Sequence, residues 1–467
     1  MTTTRSLTQP AMAGGAAHSY PPGFRMRRGL NWFALGTLYA TYYMCRYNIP
    51  WAYPGMQKEF NLTTADIADI GAAFSLVYGT GQLINGLIAD RIGGKTCMLI
   101  GAFGTIVINF FFGFGSFTGS VATLSLLWLM NGYMQAFGAP GMVKINAAWF
   151  ARRERGTFAG IFGFMIQAGQ ITINWFAPII LAGFAVGALV VAKGEWRWLF
   201  RLPPFLTAAA ALFMAFAAKP SPDEAGYPGT IQDELDNSAG VTVSLLQSFK
   251  TIFTHPLIWF YAAAYACTGA VRGSSDQLRN LYFREQLGMD MTSNIAPSVA
   301  WTLVLMPTAA VVGSFLSGWV SDHFFKGHRS PVAMTLYFFE AFVIGLAALV
   351  LLTKVVGPTP FGVFLGCTIL ILVAITANST HAIVGAAAPM DIGGKKMAGF
   401  AAGVIDSFQY YGMAFSLAIT GRVLDATKAK YGWTFWYVIM AGFGVLGGIA
   451  MLLVMRRQKR LHREAGM

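Results

Sequence analysis

Charge is scarce in this chain of 467 residues: Asp, Glu, Lys and Arg make up 11% of it, against about 25% in an ordinary soluble domain. With 55% of residues apolar, a soluble globular fold is excluded. Cysteine is rarer still. Cys45, Cys97, Cys267 and Cys367 stand alone in apolar stretches, a pattern that excludes a disulfide framework or a paired-cysteine metal site and leaves small packing residues. Met1 to Tyr20 carries only Arg5 and lacks an apolar core of signal-peptide length. There is also no phosphate loop ending in Lys-Ser/Thr, no His-Glu-x-x-His and no nucleophile elbow. Neither ATP drive nor hydrolysis is supported, and no enzyme activity, cofactor or metal is expected.

What the chain does have is long apolar runs. Breaking it at charged and Pro/Gly clusters gives twelve segments: 30–52, 67–89, 96–116, 120–149, 157–190, 196–218, 255–280, 295–321, 331–353, 360–385, 397–424 and 432–455. At ~20 residues per crossing, the reading is an all-α membrane protein of twelve transmembrane helices in two pseudo-symmetric six-helix halves. The domain plan is a flexible cytoplasmic tail over 1–29, a bundle over 30–218, a cytoplasmic linker over 219–250, a bundle over 251–455 and a basic cytoplasmic tail over 456–467. Lys and Arg (33) exceed Asp and Glu (20) by 13. In a membrane protein that excess points to the anionic cytoplasmic leaflet as partner, not to nucleic acid. Arg25, Arg27, Arg28, Arg91, Lys95, Arg152, Arg153, Arg155, Lys326, Arg329, Lys395, Lys396 and the run from Arg456 to Arg463 fall on one side. Both termini are therefore expected to be cytoplasmic, in a bacterial inner membrane, with the protein a monomer.

An internal repeat is visible. Arg46 is followed thirteen residues later by Glu59 and then by Gly86-Leu87-Ile88-Ala89-Asp90; Arg272 is followed at the same distance by Glu285 and then by Gly318-Trp319-Val320-Ser321-Asp322. Repeats of this kind mark transporters whose halves rock about a central site. An intramembrane arginine costs at least ~2.5 kcal/mol by insertion scales, so two at matching positions suggest a central anion site. Arginine suits it, because its planar fork gives parallel charge-assisted hydrogen bonds to phosphate or carboxylate. The competing explanation is neutralisation by an internal acid or helix-end carbonyls.

Helical spacing names the neighbours. Tyr39, Tyr43 and Arg46 share a face, the tyrosines either donating to the same anion or packing. Gly163, Gln167, Gln170 and Asn174 form a polar stripe in the fifth span that either lines a cavity or glues helices. Lys144, in the fourth span, either lines the entrance or snorkels. Asn378 and His381 lie at i, i+3, and Asp406, Gln409 and Tyr410 share a face. Asp406 is a counter-ion, a proton-coupling group or a contact for a substrate amine or hydroxyl; Glu340 reads as peripheral. The segment Gly86 to Lys95, with Asp90, Arg91 and Lys95, reads as a charged latch between helix ends, or as a topology determinant only.

This latch resembles the loop motif of the major facilitator superfamily, with a degraded copy from Gly318 to Arg329 in which His323 replaces the usual basic residue. More narrowly, Tyr42 to Asn48, Asn131-Gly132 with Gln135 and Gly138-Ala139-Pro140-Gly141, Glu154 to Thr157, Arg272 and Lys395 to Gly403 resemble the organophosphate:phosphate antiporters. That family includes glycerol-3-phosphate, hexose-6-phosphate and phosphoglycerate transporters and glucose-6-phosphate translocases. The resemblance implies a rocker-switch exchanger in which Arg46 and Arg272 clamp a phosphoryl group of a small anionic substrate. Tyr39, Tyr43, Tyr78 and Tyr410 would line its cavity, with Gln82, Lys144, Gln167, Gln170, His381 and Asp406 nearby and Asp90, Arg91, Lys95 and Asp322 as latch. The chain departs from the glycerol-3-phosphate pattern at Tyr47, Gln82, Ile166 beside Gln167, and Gly269, so the cavity loses positive charge and gains amides. Two rival functions remain: a proton-coupled organic anion symporter, whose first span and latch also look like these, and a membrane sensor of phosphorylated sugar, as among relatives of the hexose-phosphate transporters.

Overall fold

The computed structural model describes residues 20–115, 119–151, 154–231, 254–325 and 329–464, and the side chains of all of these except 155–162, 322, 386–402, 461, 462 and 464. The first span is two helices, Phe24–Tyr47 and Ile49–Phe60, bent at Asn48. Pro50 lies at the start of the second piece and cannot donate to the carbonyl of residue 46. The bend also frees the Cys45 carbonyl, which accepts from Asn131 Nδ2 at 3.1 Å and Gln135 Nε2 at 3.2 Å. The fourth span is likewise broken, into Val121–Gln135 and Gly138–Trp149. Unbroken helices Thr64–Ile92, Gly94–Gly115 and Arg155–Ala182 make the second, third and fifth spans, and Trp198–Arg201 with Pro203–Ala217 the sixth. The seventh to ninth are Ile258–Glu285, Pro297–Phe324 and Arg329–Leu352, and the last is Thr434–Glu464.

The tenth and eleventh spans lie within one continuous run of helical backbone, Pro360–Tyr431. His381 and Gln409 would stand roughly 40 Å apart on a straight rod at 1.5 Å per residue, yet both reach Arg272, at 3.5 and 3.0 Å. The run therefore doubles back and crosses twice. Among the described residues eight helices are long and apolar enough to cross a membrane. The first, fourth, seventh and eleventh spans are not among these eight: the first and fourth are broken, the seventh carries polar residues of the site, and the eleventh begins in residues whose side chains are not described.

Three expected boundaries move. The first helix begins at Phe24, not residue 30, because its basic turn is held: Arg27 Nη2 donates to Ala217 O at 2.8 Å and Arg28 pairs with Glu154 at 3.0 Å. Burial opposes ionisation of the Glu154 carboxyl, but hydrogen bonds from Tyr20 and Arg28 hold it below the usual carboxylate range. The fifth span stops at Ala182 rather than 190. Gly183, at φ 80°, ends it, and Phe184–Val186 pairs antiparallel with Leu189–Val191 across Gly187, at φ 57°. The last helix continues through the basic segment to Glu464. Glu340 is fully buried, so it does not face lipid.

The repeat extends to packing. A Cβ on Gly169 would stand 2.1 Å from the Ala40 carbonyl oxygen, and one on Gly412 1.9 Å from that of Ala266. Ala40 and Ala266 each precede their span's arginine by six residues. At the end opposite the termini the halves are fastened together. Asp425 accepts from the backbone N–H of Thr64 and Ala65 at 3.0 and 2.8 Å, capping the second span. Lys428 reaches Thr64 and Glu285, Arg422 pairs with Asp69, and Arg284 donates to Pro54 O.

Candidate substrate site

Arg46 ends the first helix of the first span and is 4% exposed. Its Nε donates to Gln135 Oε1 at 2.9 Å, while Nη2 is buried with no partner. The guanidinium is packed among aromatic faces: Tyr78 at 4.2 Å, Tyr43 at 4.6 Å and Phe74 at 5.4 Å. Tyr39 hydrogen-bonds Tyr78, whose ring lies 4.4 Å from that of Tyr410. The predicted tyrosines are thus gathered around Arg46 as a layer.

Arg272 faces a different wall. With the Gln409 amide oriented to suit its neighbours, the Gln409 oxygen accepts from Arg272 Nη1 at 3.0 Å and its nitrogen donates to Asp406 Oδ1 at 3.0 Å. Gln82 also hydrogen-bonds Asp406. The same Nη1 of Arg272 lies 3.5 Å from His381 Nε2, and His381 Nδ1 shares a 2.9 Å hydrogen bond with Tyr265. Asp406 lies within electrostatic reach of both arginines. Yet among the described residues neither Arg46 nor Arg272 has a carboxylate within salt-bridge distance.

Arg272 lines a small, partly open cavity together with Gln167, Gln170, Ser275, Asp276, Asn378 and apolar side chains of the eighth and tenth spans. Asp276 is the one carboxylate among these lining residues. It accepts from Tyr47 Oη at 3.0 Å, from Gln170 Nε2 at 3.5 Å and from Arg279 Nη1 at 3.2 Å. Arg279 also reaches Asn174 Oδ1 at 3.5 Å, and Asn174 in turn donates to Leu303 O. All of these except the Asp276–Arg279 pair cross between the halves.

A sequence model of the Major Facilitator Superfamily matches residues 35–417. The chain belongs to the major facilitator superfamily. It is an integral, multi-pass membrane protein with the superfamily's fold of two pseudo-symmetric six-helix halves. It is 25% identical over 427 residues to the membrane sensor protein UhpC of Escherichia coli, covering 89% of each chain. It is 26% identical over 432 residues to the glycerol-3-phosphate transporter of Bacillus subtilis, covering 90% of this chain and 91% of that one. A probable hexose phosphate transport protein of Chlamydia pneumoniae is 25% identical, with 89% and 88% covered. In fold it is similar to a bacterial homolog of the human lysosomal transporter Spinster, at TM-score 0.69 and 14% identity, covering 92% of this chain and 97% of that one.

Within this superfamily fold, several predicted residues sit elsewhere than expected. Lys144 does not line the cavity: its Nζ donates to Ala89 O at 2.9 Å and pairs with Asp90 at 3.3 Å. A cation there satisfies the carbonyl end of the second span, which explains why it stays at the latch. Lys95 caps another helix end, donating to Ala215 O and Ala218 O at 2.6 and 2.8 Å. Arg91 is exposed, and Asp322 lies outside the described side chains. Asp276 and Arg279 were not anticipated. They stand four and seven residues beyond Arg272, so the face rule that grouped Tyr39, Tyr43 and Arg46 finds them too.

Proposed function

We propose that this protein is a secondary active transporter that exchanges an organophosphate for inorganic phosphate by rocker-switch alternating access. The observation that carries the reading is the pair of intramembrane guanidiniums at matching positions, Arg46 and Arg272, without an ion-pairing carboxylate among the described residues. Two unpaired cations in a low-dielectric interior are costly to enclose, and a phosphate dianion removes that cost. A loaded site can therefore close and swing, whereas an empty one resists closure, and obligatory exchange follows. The relatives named for glycerol phosphate and hexose phosphate transport support the substrate class.

In this mechanism the bundles over 30–218 and 251–455 are the moving bodies, with 219–250 as linker. The contacts of Asp425, Lys428, Arg422 and Arg284 hold one end shut, and Asp90, Lys144 and Lys95 brace the other. Tyr39, Tyr43, Tyr78 and Tyr410 form the wall behind Arg46, and Gln82, Gln409 and Asp406 orient Arg272. The protein acts as a monomer in a bacterial inner membrane with both termini cytoplasmic.

The test is uptake of labelled phosphate into phosphate-loaded proteoliposomes, with competition by glycerol phosphate, sugar phosphates, phosphonates and plain carboxylates. Self-exchange blocked by an organophosphate supports the antiporter. Carboxylate uptake that depends on a proton gradient and is abolished in Asp406→Asn moves the assignment to the symporter. A second reading draws on the relatives named membrane sensor protein UhpC: the same site binds a phosphorylated sugar and signals. Organophosphate binding without flux in folded protein selects it.

A further inference from the structure

Asp276 is an acid on the wall of an anion cavity, one helical turn from the arginine that would hold the anion. Its charge is fixed in place. Tyr47 holds one oxygen, while Gln170 and Arg279 hold the other. Arg279 is fully buried behind it and is not part of the cavity wall. The remaining polar groups on the wall are neutral: Gln167, Gln170, Ser275 and Asn378. Of these, Gln167 Oε1 and Ser275 Oγ are buried with no partner, and the first is an acceptor that needs a donor. The cavity therefore offers one cation, a carboxylate one helical turn from it, and neutral polar groups that suit hydroxyls.

From this arrangement we propose that Asp276 sets the charge the cavity accepts: the substrate carries its phosphoryl group as the sole anionic group, with a neutral, hydroxyl-bearing remainder. The inference rests on the phosphate-binding reading above. A second anionic group on an anion held at Arg272 lies close to Asp276, which lines the same cavity one helical turn away. Repulsion at that range in a protein interior is worth about tenfold in affinity or more. A hydroxyl at the same place donates to Gln167 or Ser275 instead.

Glycerol 3-phosphate and 3-phosphoglycerate test this directly, since the second carries a carboxylate where the first has a hydroxymethyl group. Binding of each to the purified full-length protein is followed by titration calorimetry, which requires no transport. The expected result is at least about tenfold tighter binding of glycerol 3-phosphate, a ratio that falls toward one in Asp276→Asn and persists in Asp276→Glu. Equal binding by the unaltered protein overturns the proposal without recourse to any variant. So does a ratio that survives in a folded Asp276→Asn protein. A preserved preference without phosphate exchange in proteoliposomes would overturn the exchange reading and leave charge selection standing. Failure of both compounds and of inorganic phosphate to bind would overturn both.

Discussion

Replacing Arg46 by methionine separates an arginine that binds substrate from one that holds the fold. The side chain is 4% exposed, and burying a cation costs several kcal/mol. Against this, the Nε bond to Gln135 returns about 1.5–3 kcal/mol. The nearest rings, Tyr78 at 4.2 Å and Tyr43 at 4.6 Å, return about 2 kcal/mol each. Cost and return nearly cancel, and no carboxylate depends on the charge. Arg46→Met removes both sides of the balance at similar side-chain length, so the unfolding free energy should stay within about 2 kcal/mol of the parent. Phosphate binding, by contrast, loses two charge-assisted hydrogen bonds, a fall of about 100-fold or more. The assay is thermal unfolding in detergent with and without phosphate. At a hundred times Kd, phosphate should add about 2.7 kcal/mol to the parent and no more than about 0.4 kcal/mol to the variant at the same concentration. A variant destabilised by more than about 3 kcal/mol that keeps the phosphate increment would refute the argument and make Arg46 structural.

Gly412→Ala places a methyl group 1.9 Å from the Ala266 carbonyl oxygen; it should cost about 1–3 kcal/mol by thermal unfolding, whereas Gly442→Ala, with open space around it, should cost nothing. Lys144→Gln should leave phosphate affinity within about twofold by calorimetry, because the ammonium serves the latch through a partly exposed pair; a larger loss would put it in the cavity. In the loop after the seventh span, burial pushes the Asp290 carboxyl up, but hydrogen bonds from Thr292 and Ser293 outweigh it and hold the group below the usual range. A depressed carboxylate stabilises the fold above its unfolded pKa of about 3.9 and loses that contribution as the pH falls toward the folded value. The stability gap between the parent and Asp290→Asn should thus be constant from about pH 5 to 8 and shrink below about pH 4; a gap that widened on acidification would reverse the sign of the argument.

The fold was legible in this sequence because a chain in lipid must satisfy its backbone polar groups internally, which long apolar runs do as helices, and because the second half repeats the first. Arg46 and Arg272 announced themselves by cost, since a guanidinium within an apolar span such as Tyr42 to Asn48 demands a partner or a function. What the sequence concealed depends on partners distant along the chain. Lys144 lies in the fourth span, and only the packing of that span against the end of the second turns it from a cavity cation into a helix cap. Asp276 and Arg279 were hidden for another reason. A carboxylate and an arginine three residues apart look like an ordinary local pair, and that is half of what they are. The other half is that Tyr47 and Gln170, from the opposite half of the molecule, close on the same carboxylate. The group that bounds the cavity is therefore also one that any swing of the two halves must release. Substrate charge and the closed state are read by one residue, so a second anionic group on the substrate would oppose both binding and closure.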